Sequence, residues 1–312
     1  MKKLLVVLLM LAMVFAFAAC ASTDTETPAT SGDEQTAEPE YDDTLVFAMN
    51  TDAQYLDPQI QNDTTSEQVV KMLYNTLLKF ADDGTIVGDL ADSWSVSDDG
   101  LTWTFNLKQG VKFHNGKELT SADVKATYER AMNAEAGGLR TTEIIKMFTA
   151  VEAPDTYTVT ITTSEPYGPM EALMCNMSLG IIDADYIEQY GLDLGYSVEG
   201  ENGTGPYTLT EWVRDSSITL TKFDGYFDDA AYIPTVQYVI IPEAASRVMA
   251  LESGEVDVIP NLTSDDVATL GQNPDITIYK QPSVGQRLFR FGCDDPIMSN
   301  TLVRQAINYA ID

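Results

Sequence analysis

Apolar residues follow two rhythms along this chain. Residues 45–49 of "TLVFAMN" are apolar and predict a strand, which a polar loop, "TDAQYLDPQ", follows. In "SEQVVKMLYNTLLKF", Val69, Met72, Leu73, Thr76, Leu77 and Phe80 recur at helical spacing and predict a helix through the whole stretch. Asp83-Gly84 and Gly88 are turn signals. In "WSVSDDGLTWTFNL", Leu101, Trp103, Phe105 and Leu107 alternate with polar residues after Asp99-Gly100, which predicts a hairpin. A second turn follows in "FHNGKEL". Thr120 and Asp123 then stand at capping-box spacing ahead of a helical stretch.

Beyond it, Tyr157, Val159 and Ile161 alternate in a second predicted hairpin. "LGIIDADYIEQYG" predicts a short strand and a short helix. Alternating strands are expected at 207–212 and 218–222, and an apolar strand in "TVQYVIIP". "EAASRVMALESGEVDVIP" predicts a helix, a stop at Gly254 and a strand, the α–β portion of a parallel crossover. "TSDDVATLGQNPDITIYK" repeats cap, short helix, turn and strand. The chain closes on "SNTLVRQAINYAID", an amphipathic helix with Ser299 or Asn300 as cap and no stop signal after it. Helices and strands are mixed throughout, so the class is α/β or α+β.

The N-terminus breaks this pattern. Lys2 and Lys3 precede an uncharged apolar run over 4–17, too short for a comfortable membrane span of about 20 residues. Ala18, Ala19 and Cys20 follow, in the manner of a bacterial lipoprotein signal, so Cys20 is the expected lipidation site. Residues 20–43 then form a lipidated Cys and an acidic tether rich in Thr, Ser, Pro and Ala. The tether cannot bury enough apolar surface to offset its ordering entropy.

Formal charge is −30, from 18 basic and 48 acidic side chains. Such a chain is repelled by nucleic acid and by anionic lipid, so neither is an expected partner. Cys175 and Cys293 have no metal-motif spacing; an exported protein could pair them, but two buried free thiols are expected. The single histidine, His114, lies in an "HNG" turn and is expected at the surface. No GxSxG elbow, phosphate-cradling GxxxxGK[ST] loop or dinucleotide fingerprint is present. An all-oxygen calcium site stays open, because acids are everywhere, although no segment reads as an EF-hand loop. No catalytic residue, metal ligand or cofactor is assigned. Export, tether, α/β body and absent catalytic signature together favour a surface binding protein over an enzyme.

Four stretches carry a resemblance. "GDLADSWSVSDDGLTWTFNLKQGVKFHNGKELTSADVKATYERAMN", "GTGPYTLTEW", "VIIPEAASRVMALESGEVDVI" and "VRQAINYAID" resemble, in order, segments of the extracellular solute-binding proteins of family 5, the peptide-, dipeptide- and nickel-binding lipoproteins of ABC importers. The resemblance implies an α/β, two-lobed periplasmic-binding-protein-like fold of class II type. It divides the chain into a signal peptide (1–19), the tether (20–43), lobe 1 (44–60 and 181–282), a subdomain of lobe 1 (61–180) and the start of lobe 2 (283–312), with the crossover in "KQPSVGQRLFRFGCDDP". It also implies that family members continue beyond the final helix, so the second lobe is expected to be incomplete here.

The implied function is capture of oligopeptides or dipeptides in an interlobe cleft and delivery to ABC permease subunits, on the outer face of the cytoplasmic membrane. Alternatives are a nickel-chelate, sugar or other small-solute binder of the same family, or else a secreted hydrolase or surface receptor. The family's loop after the first strand points to Thr51, Asp52, Ala53 and Tyr55 as cleft residues. Arg140, in "GGLRTTE", could clasp a ligand carboxylate with its planar fork, or form a surface ion pair.

Overall fold

The structure, a computed structural model, describes residues 43–280 and 288–311. The expected signal peptide, the expected lipidation site Cys20, the expected tether up to residue 42 and residues 281–287 of the expected crossover lie outside the described residues. In chain order the elements are strand β1 (Thr44–Met49), helix α1 (Thr64–Leu73), strands β2 (Leu78–Phe80), β3 (Ile86–Gly88), β4 (Ala91–Val96) and β5 (Thr102–Leu107), and helices α2 (Ser121–Met132), α3 (Ala134–Gly137) and α4 (Leu139–Ile144). Strands β6 (Phe148–Asp155) and β7 (Thr158–Thr163) follow, then helices α5 (Met170–Met174) and α6 (Ala184–Tyr190). Strands β8 (Tyr207–Val213), β9 (Ser217–Lys222) and β10 (Thr235–Ile240) precede helices α7 (Ala244–Ser253), α8 (Ser264–Leu270) and α9 (Thr301–Ala310).

One sheet has the order β1-β10-β9-β8, with β1 and β10 parallel and the other pairs antiparallel. The sequence rhythm follows from its packing. On one face, Tyr207, Leu209, Ile218, Leu220, Val236 and Tyr238 pack with Val69, Val70 and Leu73 of α1. On the other, Val46, Ala48 and Val239 meet Ala250 and Leu251 of α7. Strand β1 is therefore covered on both faces and reads as a continuous apolar run, whereas β10 alternates Thr235 and Gln237 with its buried Val236 and Tyr238. Strands β8 and β9 instead carry Thr208, Thr210, Thr219 and Thr221 outward and alternate. The crossover predicted after Gly254, which adopts φ +74° to end α7, is reduced to a single parallel bridge between Val258 and Phe47.

The second sheet is antiparallel, β4-β5-β7-β6. Trp103, Phe105, Val159 and Ile161 form its inner face and bury Val124, Tyr128 and Ala131 of α2. The carboxylate of Asp123 accepts from the Thr120 N–H and hydroxyl, both at 2.9 Å, so the expected cap is present.

Two kinds of sequence expectation fail locally. The helix predicted through residue 80 stops at Leu73, and Tyr74 is extended (φ −128°, ψ 153°). Asp89 intercepts the chain there: it accepts from the Asn75 side-chain amide at 3.0 Å and the Thr76 N–H at 3.1 Å, and its own N–H donates to the Leu77 carbonyl. Residues 78–80 then hairpin back to 86–88. No strand forms at 181–182 or 276–279 among the described residues. Ile181 and Ile182 are buried, but their N–H groups bond singly to the Asn75 carbonyl and the Thr127 hydroxyl. Core membership places α1 with the first sheet, and the second core begins at Leu77.

Cys175 is half-buried and Cys293 exposed, both unbonded, so Cys293 does not take the buried place expected of it. Burial, with the nearby Asp89 and Glu171 carboxylates, pushes the Cys175 thiol up to about 11, which keeps it protonated at neutral pH. The closing helix α9 is capped by Asn300, whose side chain accepts from the Leu302 N–H. Leu302 and Tyr309 stand exposed on it.

Candidate functional site

The loop of residues 50–60 leaves the carboxyl end of β1, where α/β sheets place ligands. Five separate parts of the chain hold it. At its start, the Asp52 carboxylate accepts from the Trp212 indole N–H (3.1 Å) and from the Asp215 N–H (3.0 Å). Arg214 donates from Nη1 to the carbonyls of Ala53 (3.2 Å) and Gln54 (3.3 Å) and from Nη2 to the Tyr196 carbonyl (2.9 Å). Its guanidinium carbon lies 3.5 Å from the centre of the Trp212 ring. The Ser66 hydroxyl in α1 accepts the Gln54 N–H at 2.9 Å. The Leu56 N–H donates to the Gly195 carbonyl at 2.9 Å. At its far end Arg130 of α2 pairs with Asp57 and donates to Gln59 Oε1 at 2.8 Å, while the Gln59 amide donates to the Thr127 carbonyl at 2.7 Å. The Thr141 hydroxyl of α4 donates to the Gln59 carbonyl at 2.6 Å.

Between this loop, the start of α1 and the 260–261 turn lies a cavity of about 360 Å³. Asn50, Thr51, Gln54, Thr64, Gln68 and Asn261 are among its lining. These are amides and hydroxyls. The one carboxylate, Asp63, is occupied in capping α1, accepting from the Ser66 N–H (2.8 Å) and hydroxyl (2.7 Å). The cavity can therefore hydrogen-bond a polar ligand along its length without offering a free charge. A larger hollow of about 470 Å³ lies beside it, between 257–262 and 275–280. Its lining is mostly apolar, and its Asp257 carboxylate is taken by the Val46 N–H at 2.7 Å.

The five residues expected in the cleft take different places. Thr51 is exposed and lines the cavity. Asp52 points its carboxylate at the β8–β9 turn, and Ala53 is buried at 2% exposure. Tyr55 sets its ring edge-on to Tyr196, with centroids 5.1 Å apart. Arg140 is exposed on α4, outside the cavity lining and without an ion pair among the described residues. Sequence reasoning passed over Arg214, Trp212 and Arg130 as positioning groups. A lone arginine in "WVRDSS" carries no signal, because its three acceptors are carbonyls 18 and about 160 positions away.

His114 is buried, with its side chain 6% exposed, although it sits in a turn. Its Nδ1 lies 3.2 Å from Glu201 and its Nε2 3.1 Å from the Gly205 carbonyl, while Phe223 packs edge-on. Burial opposes its positive charge, but Glu201 and the carbonyl outweigh burial, so its pKa is raised above the ordinary histidine value. Nearby, Asp123, Asp183 and Asp185 converge on the Lys117 ammonium, which occupies the place a cation would take among them. These contacts join the turn to the 183–205 segment. They form no nucleophile–base pair.

The family model described as "Bacterial extracellular solute-binding proteins, family 5 Middle" matches residues 85–312. The glutathione-binding protein GsiB of Salmonella typhi is 31% identical over 269 residues, 86% of this chain and 52% of that protein. The periplasmic binding protein DppA of Helicobacter pylori, solved with the peptide STSA, is 29% identical with a TM-score of 0.76, over 86% of this chain and 56% of that one. NikZ of Campylobacter jejuni, solved with Ni(L-His), shares the fold at TM-score 0.77 and 23% identity, over 86% of this chain and 53% of that one. The chain spans about half the length of the curated relatives it matches.

Proposed function

The chain belongs to the bacterial extracellular solute-binding proteins of family 5, and we propose that it captures a peptide or peptide-like solute and hands it to the permease of an ABC importer, without chemistry. Its fold is the α/β, two-lobed fold of the periplasmic binding proteins, of which this chain carries part. The observation that carries the reading is the cavity at the end of β1, walled by amides and hydroxyls with its one carboxylate engaged. Such a wall suits the repeating N–H and C=O groups of a peptide backbone, which accept varied side chains. Thr51 and Tyr55 belong to the ligand side of the loop in this reading, and Asp52 and Ala53 to its support. Arg140 lies in the first turn of α4, which leans on the far end of the same loop through Thr141, and is offered to a ligand carboxylate.

In this reading residues 44–60 and 181–282 are lobe 1, 61–180 its subdomain, whose helix α1 packs on the lobe 1 sheet, and 283–312 the beginning of lobe 2. Cys20 carries the lipid anchor, and the acidic tether holds the body off the outer face of the cytoplasmic membrane.

The test is thermal unfolding of the full-length protein with a tetrapeptide, glutathione, an opine, nickel–histidine and a sugar, each at graded concentration. A specific ligand at a hundredfold excess over Kd stabilises by about 2.7 kcal/mol. Stabilisation by peptide or glutathione supports the reading. Stabilisation by nickel–histidine or sugar alone replaces peptide as the solute, and no response to any member removes the reading.

A further inference from the structure

The loop that walls the cavity has no secondary structure of its own over residues 50–60 apart from a short turn, so its shape must come from what grips it. Asp52, Ala53 and Gln54 are gripped from one direction, by Trp212, Arg214 and Asp215 of the β8–β9 hairpin and its turn. Trp212 and the Asp215 N–H hold the Asp52 carboxylate. Arg214, stacked on Trp212, reaches past it to the carbonyls of Ala53 and Gln54. The same guanidinium holds the Tyr196 carbonyl, and Tyr196 packs against Tyr55. Asp215 adopts φ +57°, a left-handed conformation uncommon for residues other than glycine, and its N–H is the one that meets Asp52. A tight turn has been bent to face the loop, and one planar cation closes three carbonyls at once.

We infer that Arg214 is the positioning residue of the ligand loop: stacked on Trp212, it sets the loop in the shape that turns Thr51 and Gln54 into the cavity. The inference rests on the reading of that cavity as the ligand site. Arg214 does not line the cavity and need not touch ligand. The requirement is for the fork and the flat face, not the charge. Lysine has three donors on one point and no plane to stack, so it cannot span the same carbonyls.

The experiment compares the wild-type full chain with R214K and R214M. Backbone hydrogen–deuterium exchange is followed over 51–56 and, as an internal control, over β9 and β10. Exchange at 51–56 is expected to rise in both variants while β9 and β10 keep their protection. The affinity for whichever probe the wild type binds, a tetrapeptide or glutathione, is expected to loosen about tenfold or more, the scale of one or two lost charge-assisted hydrogen bonds. Unchanged exchange at 51–56 overturns the inference without reference to any ligand. So does wild-type behaviour in R214K, which would make the charge sufficient. Raised exchange with unchanged affinity overturns it as well, leaving Arg214 a structural clasp. Failure of the functional reading looks different: the wild type itself binds no probe while exchange still responds to the variants, and the positioning role falls with it.

Discussion

Arg130 and Asp57 form a buried ion pair across 73 positions of chain, with Nη2 2.5 Å from Oδ2 and Nη1 3.3 Å from Oδ1. Neither side chain is more than 4% exposed. The pair ties α2, which carries the second sheet's core, to the loop that leaves the first sheet. Gln59 and Thr127 complete its hydrogen bonds, so the geometry is that of a satisfied network.

Arg130→Met leaves the Asp57 carboxylate buried and alone. The expected loss is about 3–5 kcal/mol, the usual cost of breaking a buried pair from one side. Removing both charges in an Arg130→Met, Asp57→Leu double variant is expected to cost less than the single change. Urea unfolding measures both. A double variant worse than the single one contradicts the account.

The His114 contact is expected to respond to pH. Its folded-state pKa is raised by Glu201 and the Gly205 carbonyl against the opposing effect of burial. A raised histidine stabilises fully below the unfolded value of about 6.5 and loses that contribution as pH climbs through the folded value. The gap in melting temperature between wild type and His114→Gln should therefore be widest near pH 5–6 and narrow on the alkaline side. The same gap at every pH would refute the assignment.

Gly203 lies flat against the end of α1, where an added Cβ would collide with the Leu73 carbonyl. Gly203→Ala should cost about 1–3 kcal/mol through the forced backbone shift. Gly168→Ala, where a Cβ meets nothing within 4 Å, serves as control and is expected within about 0.5 kcal/mol of wild type. Equal effects in the two variants would mean that the close approach to α1 carries no weight.

The loop residues should divide by role. Gln54→Ala and Gln68→Ala are expected to weaken ligand binding severalfold and leave the melting temperature nearly unchanged. Asp52→Ala is expected to lower stability by about 0.5–1.5 kcal/mol, because it removes the bonds to the part-buried Trp212 indole and the exposed Asp215 N–H. Arg140→Gln should weaken a peptide with a free carboxylate more than its amidated counterpart. Calorimetric titration with both peptides decides that point, and equal weakening of the two removes Arg140 from the ligand's carboxyl end.

Cys20→Ala is expected to release the protein from membranes into the soluble fraction, and metabolic labelling with palmitate should be lost with it. Retention on membranes after the change would exclude Cys20 as the anchor.

Much of this molecule is written in local pattern. The Thr120 cap, the hairpin around Gly100, the strands at 207–222 and the stop at Gly254 each depend on residues a few positions apart, and each is legible without the fold. The family's motifs likewise identify the chain and direct attention to the loop after β1. Where the readings fail, a distant group has overruled a local preference. Asp89 ends α1 at Leu73 despite helical spacing that runs to residue 80, and Glu201 with Gly205 draws a turn histidine into the interior. The division of roles within the loop has the same origin. Nothing in "NTDAQYLDP" separates Thr51, which faces the cavity, from Asp52, which faces Trp212. That choice is made by a turn about 160 residues away, because a carboxylate goes where its donors are, and only folding brings those donors to it.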